Sequence, residues 1–585
     1  MKSFFKTFFA ALLALFIFSL LGFFILIGIT AAFSSDEKYI VAQNSVLVID
    51  ASSTFLEQSK NDPFSELLRK KNGKEPSLSE LVGLLNYAKK DSNIKGIYIK
   101  CAENPNGYAA TEEIRKAILD FKKSNKFVVA YAETISQKGY MMANVADQIY
   151  THPQGGLAWS GFNYETLFLK GLIDKLEIEP QIFYAGKFKS ATEPFRYTQM
   201  SDANKFQTGV WLYSIYNNFI QGTADMRHLH SDTLKAIANE GKVQNAKDAL
   251  QHKLVDGLLY DDQLKKIIAQ KIHIIDASKI SFVTINDYAS SVALRGTGSG
   301  KIAVIFADGD VVMGKDEKEA IASDDYRALI QKIRNDKSID AVVLRVNSPG
   351  GSALASDIIW REIDLLKKEK PVIVSMGNLA ASGGYYISCG ADSIFADANT
   401  ITGSIGVFTV IPNAEKFLKN KLGITFDRVK TGQYADAPSA TRALTVTEQK
   451  FLQAGVDSIY YTFKSRVAAG RKKSIEYIDS IAQGRVWTGT DAIKVGLVDK
   501  IGNLNDALAS AAKMAKVKGF SIKAYPEKRS IIEDLIEGYK NEVKVKVMQQ
   551  EIGFEQWQVL QQIKSMKRIM GQPQTRLPIF EINHR

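Results

Sequence analysis

Apolar residues are unevenly distributed along this 585-residue chain, and the longest apolar stretch lies at its start. Residues 7–33 carry no charged side chain, Lys2 and Lys6 come before them, and Asp36 is the first acidic residue. A helix rises about 1.5 Å per residue, so this stretch can cross a hydrocarbon core of roughly 30 Å. The alternative is a cleaved signal peptide, whose apolar region usually spans only about 7–15 residues. The pattern therefore predicts an uncleaved transmembrane helix within residues 1–35.

The two lysines before the apolar stretch predict how the chain is oriented. The positive-inside rule keeps Lys2 and Lys6 on the cytoplasmic side of the membrane. No later stretch is apolar enough to return across the bilayer. We expect a single-pass protein of the cytoplasmic membrane, with everything after Ser34 on the outer, periplasmic side.

Beyond this start, short β-branched runs alternate with segments of helical periodicity. Residues 45–49 and 301–305 have the composition of buried strands, and the helical segments 81–90 and 326–334 each precede another apolar strand. Such alternation is typical of βα units in which helices cover a parallel sheet. The polar, glycine-rich stretch 290–300 predicts a linker. We expect an α/β protein built from two similar units.

The two halves repeat one pattern at a nearly constant offset. Residues 139–150 (GYMMANVADQIY) align with 384–395 (GYYISCGADSIF), 245 positions later, and residues 254–256 align with 497–499, 243 positions later. Unrelated α/β domains would not keep an offset within two residues over such a distance. The first repeat is expected to span residues 40–290 and the second 298–525.

The remaining residues, 526–585, have no counterpart in the first repeat. Residues 530–547 and 554–570 alternate apolar and charged positions at helical spacing, which predicts a helical C-terminal extension. Residues 576–585 are compatible with either a docking strand or a loose tail.

Comparison of the repeats singles out one serine and one lysine. At the repeat offset Ser382 lies opposite Gln137, whereas Lys189 lies opposite Ala435. A hydroxyl present only in the second half and an amine present only in the first predict one split site. Ser382 would be its nucleophile and Lys189 its base. The sequence leaves open whether the two meet within one chain or between chains.

A lysine acts as a base only when its amine is neutral. An exposed lysine titrates near 10.4, but burial can lower its pKa by up to about 3–5 units. Glu193 would oppose that shift if its carboxylate approached the amine. Apolar cover could come from nearby aromatic residues, namely Phe183, Tyr184, Phe188 and Phe195.

Glycine turns after predicted strands supply candidate oxyanion donors. The N–H of Gly383, directly after the nucleophile, is one, and the turn 347–351 with Gly350 and Gly351 is expected to provide the second. Ser404 lies in a further turn, 402–406, from which its hydroxyl could contact the amine of Lys189.

The histidines, cysteines and net charge point to no additional chemistry. His228 and His230 form an HxH pair without a third ligand cluster, so we expect no metal and no cofactor. Cys101 and Cys389 lack metal-ligand spacing and are expected to be packing residues. The net charge of +12 is spread along the chain and not concentrated in one tract, so nucleic-acid binding is not expected.

Taken together, these motifs resemble the signal peptide peptidase A family in its long, tandem-repeat form. The resemblance implies two ClpP/crotonase-like repeats, Ser382 as nucleophile, Lys189 as general base and Ser404 as a residue that holds the lysine. It also implies a membrane-anchored, bowl-shaped homo-tetramer that cuts released signal peptides within their apolar regions. Besides the apolar start, the matching segments are 186–195 (GKFKSATEPF), 347–356 (NSPGGSALAS), 380–388 (AASGGYYIS), 402–408 (TGSIGVF) and 484–492 (GRVWTGTDA).

Two alternatives remain open from the sequence. A crotonase-type acyl-CoA enzyme uses similar paired backbone donors to stabilise an enolate. A non-catalytic membrane scaffold would use the two repeats only to hold other proteins.

Overall fold

The computed structural model describes residues 2–33, 39–59, 75–294, 296, 298–315, 320–527 and 572–577. A 32-residue helix, α1 (Lys2–Phe33), opens the chain. Side chains of this helix are described in one unbroken run, 6–22, and at two further positions. Among the residues described in this way, no helix is both long and apolar enough to span a membrane. The predicted helices at 530–547 and 554–570 lie outside the described residues.

The strands follow in chain order. They are β1 (Ser45–Asp50), β2 (Ile94–Lys100), β3 (Phe127–Ile135), β4 (Gln148–Leu157), β5 (Glu179–Ala185), β6 (Gly257–Leu258), β7 (Phe282–Thr284), β8 (Gly300–Asp308), β9 (Val311–Val312), β10 (Ile321–Ala322), β11 (Ala341–Ser348), β12 (Gly350–Ser352), β13 (Val372–Ala381), β14 (Ser393–Ala396), β15 (Ile401–Gly403), β16 (Val407–Asn413), β17 (Val486–Thr488), β18 (Lys500–Ile501), β19 (Phe520–Tyr525) and β20 (Gln574–Arg576).

The helices after α1 are numbered in the same way. They are α2 (Leu78–Ala88), α3 (Tyr108–Lys122), α4 (Gln137–Ala143), α5 (Lys170–Lys175), α6 (Glu193–Arg196), α7 (Asp202–Arg227), α8 (Ser231–Asn239), α9 (Ala246–Gln251), α10 (Asp261–Lys271), α11 (Ile285–Ser291), α12 (Ser323–Asn335), α13 (Ala353–Lys367), α14 (Gly383–Ser388), α15 (Val446–Arg471), α16 (Ile475–Ile481), α17 (Gly489–Ala492) and α18 (Leu504–Met514).

Each half is built on its own sheet of mainly parallel strands, as the alternating pattern predicts; in the second half the edge strand β17 runs antiparallel to β15. In the first half the strand order is β6-β4-β3-β2-β1-β7, with every neighbouring pair parallel. In the second half β8, β11 and β13 take the places of β1, β2 and β3, and β19 lies at the edge where β7 lies in the first. The central strands are buried on both faces because helices cover both sides of each sheet.

Matching hydrogen bonds mark the repeat in three dimensions. The Tyr140 hydroxyl donates to the carbonyl of Leu254 at 2.6 Å, and the Tyr385 hydroxyl donates to that of Leu497 at 2.9 Å. These residues occupy aligned positions in the two halves. The long helices α7 and α15 each contain 26 residues and begin 244 positions apart. The sequence offset therefore reflects two copies of one α/β unit.

A third sheet joins the two halves and was not anticipated from the pattern. Its order is β10-β9-β12-β20-β16-β5, and β5 of the first half runs antiparallel to β16 of the second over seven residue pairs. Within the predicted C-terminal extension, β20 is a strand that inserts between β12 and β16. Of residues 576–585, for which a docking strand and a loose tail were both open, only Arg576 and Leu577 are described, and Arg576 is the last residue of β20.

Buried charges also connect the halves. Arg345 on β11 donates two hydrogen bonds to Glu57, at 2.8 and 3.0 Å. These two residues and Glu113 form a cluster in which all three side chains are buried. The third group, Glu113 on α3, forms an ion pair with Arg345 at 2.8 Å that is poorly aligned for a hydrogen bond. Lys116 reaches Asp397 at 2.9 Å beside this cluster. Polar contacts thus fix the first half against the strand that leads to the 347–351 turn.

Candidate active site

Lys189 reaches the second half through the third sheet. Strand β5 pairs Ala185 with Val407 and Tyr184 with Phe408, and it ends four residues before the lysine. The short connection is held in place because the Phe188 N–H donates to the carbonyl of Gln483 at 2.7 Å. This pairing within one chain carries an amine of the first half into the second.

Ser382 occupies a strained turn between β13 and α14. Its φ of 55° and ψ of −112° lie in a region that residues with a side chain rarely adopt. The Ser382 N–H donates to the carbonyl of Gly403 at 2.8 Å, and the carbonyl of Ser382 accepts from Tyr386 N–H at 2.8 Å. Strain of this kind is characteristic of functional sites, where the surrounding structure holds a side chain in one direction.

The structure brings Ser382 and Lys189 into direct contact. The Lys189 Nζ lies 2.8 Å from the Ser382 Oγ. Only 2% of Lys189 and none of Ser382 is exposed, so this contact is shielded from solvent. The contact forms within a single chain, which answers the question that the sequence left open for the chain described.

Burial lowers the pKa of Lys189 well below the usual range of a lysine. Among the described residues no acidic group approaches the amine. Glu193 was the nearest acidic candidate along the sequence, but its carboxylate accepts hydrogen bonds from the Ser201 hydroxyl and the Asn204 amide. Burial therefore shifts the protonation equilibrium of this amine towards its neutral form.

The aromatic cover of the lysine differs in part from the predicted set. Phe183 and Phe195 are buried, but the Tyr184 ring packs against the Arg196 guanidinium and the Phe188 ring lies near Lys187 and Arg485. The ring near the amine is that of Phe408, whose centroid lies 6.0 Å from Nζ. Phe408 comes from β16 and could not be identified before the pairing of β5 with β16 was known.

Ser404 contacts the lysine through two of its atoms. Its Oγ lies 3.2 Å and its carbonyl oxygen 3.3 Å from the Lys189 Nζ. The backbone at Ser404 has a φ of 52°, and its N–H donates to the carbonyl of Arg485 at 2.7 Å. Together with the Ser382 hydroxyl, these atoms surround the amine with neutral oxygen groups.

The three predicted glycines lie together beside the serine. A Cβ built on Gly350 would stand 2.6 Å from the Gly383 nitrogen, which shows how closely the two turns approach. Gly350 has a φ of 100°, a conformation that favours glycine. Its N–H donates to the Ser348 Oγ at 3.1 Å, and the sheet register pairs Gly351 with Thr575 of β20.

Two further features support the lysine and escaped the sequence reasoning. Gln207 on α7 donates to the carbonyl of Phe188 at 2.8 Å and accepts from Val486 N–H at 3.4 Å, which ties the lysine segment to β17. Gly484 has a φ of 74°, and a Cβ there would lie 2.7 Å from the Lys189 nitrogen. Only the fold reveals these roles, because Gln207 lies outside the matching segments and Gly484, which opens the segment 484–492, carries no sign there of its contact with the lysine backbone.

The position in the first repeat that corresponds to Ser382 has a different role. Gln137 opens α4, and its side chain accepts hydrogen bonds from the N–H groups of Ser160 and Gly161 at 2.8 and 3.1 Å. In the first repeat the Gln137 side chain thus binds the backbone of the turn at Ser160 and Gly161, whereas the second repeat has the Ser382 hydroxyl at the position equivalent to Gln137. The two histidines of the HxH pair lie in the short connection between α7 and α8. His228 directly follows α7, and His230 directly precedes α8.

Comparison with known proteins places this architecture in one group. The model of peptidase family S49 matches residues 120–274 and 364–518, two segments that begin 244 positions apart. Protease 4 of Salmonella typhi is 35% identical over 487 residues, which cover 80% of this chain and 77% of that protein. Protease 4 of Haemophilus influenzae is 34% identical over 554 residues, covering 89% and 88% of the two chains.

Two further similarities extend the comparison. The chloroplastic serine protease SPPA of Arabidopsis thaliana is 33% identical over 455 residues, 76% of this chain and 66% of that protein. A solved structure of a ClpP1 mutant from Listeria monocytogenes aligns at a TM-score of 0.24 and 16% identity over 35% of this chain and 94% of that one. That score is too low to support an argument about the fold.

The fold and the relatives together define a serine protease with an internal duplication. The chain belongs to peptidase family S49, which it matches in both halves. The predicted family is confirmed, and the acyl-CoA enzyme and scaffold alternatives are not supported.

Proposed function

We propose that this chain is a Ser/Lys endopeptidase in which Ser382 is the nucleophile and Lys189 the general base. The observation that carries the assignment is the buried 2.8 Å contact between Nζ and Oγ, with no acidic partner for the amine among the described residues. A lysine that burial keeps neutral can accept the serine proton near neutral pH, and a charged lysine cannot.

In the proposed mechanism Lys189 takes the proton of the Ser382 hydroxyl as the oxygen attacks a peptide carbonyl. The resulting ammonium returns that proton to the amine that leaves, and an ester to Ser382 remains. Lys189 then takes a proton from water as the water oxygen attacks the ester, and it returns that proton to the Ser382 oxygen as the acid product leaves. Ser404 keeps the amine directed at the serine through the contacts at 3.2 and 3.3 Å.

Backbone amides of the glycine turns are proposed to stabilise the oxyanion. Gly383 contributes one N–H, and the turn containing Gly350 and Gly351 contributes the second. The close approach of these turns and the positive φ of Gly350 support this role. Removing one such donor from a serine protease costs about 3–4 kcal/mol of transition-state stabilisation.

The proposed substrates are released signal peptides, cut within their apolar regions. One relative, from Enterococcus faecium, carries the description putative signal peptide peptidase SppA and is 35% identical over 246 residues. The uncharged stretch 7–33 and helix α1 support a membrane anchor, and the described apolar side chains of α1, such as Leu15 and Phe18, are exposed. An anchored enzyme of the cytoplasmic membrane, active on its outer side, would meet peptides that partition into the same bilayer.

A homo-tetramer is part of the same proposal and rests on the family resemblance. Size measurements on the detergent-solubilised full chain test it. A monomer at working concentrations would contradict it without affecting the chemistry proposed for Ser382 and Lys189.

The test of the catalytic assignment uses a fluorophosphonate probe and an apolar fluorogenic peptide. Wild type should be labelled at Ser382, and Ser382→Ala should lose both the label and turnover. Lys189→Met, which keeps the length of the side chain but removes the base, should lose turnover as well. The matched control is Lys187→Met, an exposed lysine on the same segment, which should keep wild-type activity. Activity retained in Lys189→Met would refute the assignment.

A further inference from the structure

The strand that leads to Ser382 is irregular just before it reaches the serine. Residues 377–379 of β13 lie opposite Asn347 of β11 alone, and the regular pairing of these two strands stops at Met376 and returns at Ala380. Strand β13 pairs with β14 before these residues and with β15 after them, so the strand changes partners here. We call residues 377–379 the β13 bulge. Bulges beside active sites redirect the side chains that follow them.

The bulge packs against a carboxylate of the first half. A Cβ built on Gly377 would lie 2.7 Å from the Glu57 Oε1, so this carboxylate fills the space that a side chain at position 377 would need. The carboxylate is held in place because it accepts two hydrogen bonds from Arg345. The same guanidinium donates to the Ser375 hydroxyl at 3.0 Å, on the part of β13 that precedes the bulge. Glu57 therefore closes one side of the bulge.

A helix of the first half contacts the bulge as well. The Asn378 Oδ1 accepts a hydrogen bond from the Ala110 N–H at 3.0 Å, in the first turn of α3. N–H groups of a first turn have no partner within their helix and are commonly bound by the side chain of the N-cap residue. In α3 the N-cap residue is Gly107, and a Cβ there would collide with the Asn378 amide. Asn378 therefore caps a helix of the other half.

Hydrogen bonds also connect the bulge to the turn that carries the predicted oxyanion donors. The Leu379 N–H donates to the Asn347 Oδ1 at 3.1 Å, and Asn347 begins the turn 347–351. The Thr400 hydroxyl donates to the carbonyl of Gly377 at 2.7 Å. The bulge therefore lies between the first half and both parts of the candidate site, namely the serine strand and the glycine turn.

The corresponding residues differ in the first repeat, where Gln137 takes the place of the serine. At the same offset of 245 positions Asn378 corresponds to Glu133, and Arg345 corresponds to Lys100. Both Glu133 and Lys100 are exposed. The polar contacts at the bulge thus accompany the copy that carries Ser382.

We propose that Asn378 and Glu57 are positioning residues, which hold the β13 bulge against the first half and so fix the direction in which Ser382 presents its hydroxyl to Lys189. The proposal rests on the proposed function of Ser382 and Lys189 and extends it, because the first half then supplies the base and also orients the nucleophile. Both residues act through the strand and not through contact with the substrate. A misplacement of reacting groups by about 1 Å can lower a rate roughly 100-fold, so a small shift of the bulge is sufficient.

The first experiment separates positioning from helix capping. Asn378→Ala should lower kcat and the rate of fluorophosphonate labelling by roughly tenfold or more, whereas KM for an apolar peptide stays within about twofold. The melting temperature should also fall, because α3 loses its cap. Adding Gly107→Asp should restore the melting temperature, since the extended backbone at Gly107 suits a capping residue and the shortened side chain at 378 leaves room for it. The double variant should nevertheless keep the low kcat.

Recovery of kcat together with the melting temperature in Asn378→Ala/Gly107→Asp would overturn the positioning role, because Asn378 would then be a cap and nothing more. Wild-type kcat in Asn378→Ala would overturn it as well. If Asn378→Ala alone does not fold, the double variant, in which α3 is capped again, carries the test. Absence of labelling at Ser382 in the wild-type chain would refute the protease function on which the proposal rests.

A glycine substitution tests the contact with Glu57 separately. Gly377→Ala should lower kcat and the labelling rate with little change in KM, because the added methyl group displaces either the bulge or the carboxylate that Arg345 holds. The matched control is Gly455→Ala in α15, where the described structure leaves open space around an added Cβ, and it should keep wild-type kcat. Equal kcat in the two variants would overturn the role of Glu57.

Discussion

The low pKa of Lys189 has one physical cause, burial among neutral groups, and this makes it sensitive to a single added charge. The ring centroid of Phe408 lies 6.0 Å from Nζ. Phe408→Glu would place a carboxylate close to the position of that ring. Two opposite charges at this separation attract by about 3 kcal/mol at an effective dielectric constant of 20, which corresponds to a rise of about two pKa units for the lysine.

The sign of the effect on activity follows from the role of the amine. In the proposed mechanism activity requires neutral Lys189, so we expect the rate to rise with pH through the pKa of this group. A higher pKa moves the rising limb of the profile of kcat/KM to more alkaline pH, by about two units. At a pH below both limbs the variant should therefore be roughly 100-fold slower than its control.

The matched control is Phe408→Gln, which removes the same ring and inserts a neutral group of the same size. Both variants should be compared by thermal unfolding, because Phe408 is a buried residue of β16. The measurement is the pH dependence of kcat/KM for each variant. Identical rising limbs in the Glu and Gln variants would refute the assignment of the limb to Lys189.

Three further predictions concern residues around the site and between the halves. Ser404→Ala should lower kcat/KM by roughly 2- to 10-fold, the strength of one neutral hydrogen bond, because the carbonyl contact at 3.3 Å remains; a loss as large as that of Lys189→Met would contradict it. Gly484→Ala should lower both kcat and the melting temperature, since a Cβ there would press on the Lys189 backbone at a φ of 74°; unchanged kcat in steady-state assays would show that the lysine is not held there. Burial raises the pKa of Glu113 to about 7 against the opposing effect of Arg345, so the stability from this carboxyl is complete below about 4.5 and is lost as pH rises through 7. The free energies of unfolding measured in urea at pH 5 and pH 8 should therefore differ less in Glu113→Gln than in wild type, by up to about 3 kcal/mol, and equal differences would exclude the effect.

Much of the architecture was predictable because it repeats. The strands at 45–49 and 301–305 lie within β1 and β8, and the helix at 326–334 lies within α12. The helix at 81–90 overlaps α2 but extends two residues beyond its end at Ala88. A constant offset also exposed Ser382 and Lys189, since each lacks its partner in the other copy. Local periodicity predicts the strands and helices, and comparison of the two repeats identifies the serine and the lysine. Both need only the sequence.

The parts that could not be predicted depend on contacts between segments without a repeat counterpart. The pairing of β5 with β16 places Phe408 near the amine, and no pattern in either strand indicates its partner. The C-terminal segment 572–577 is short and polar, so nothing in its composition distinguishes a strand that pairs with β12 and β16 from a tail. The cluster of Arg345 with Glu57 and Glu113 likewise joins residues that are far apart along the chain.

The seven-residue ladder between β5 and β16 also has a consequence for biosynthesis. The lysine is synthesised long before the serine, and β16, which brings them together, leaves the ribosome after both. A nascent chain shorter than about residue 413 therefore lacks the complete ladder that brings Lys189 to Ser382. Under the proposed mechanism we expect such a chain not to cut neighbouring polypeptides while it is being made or exported.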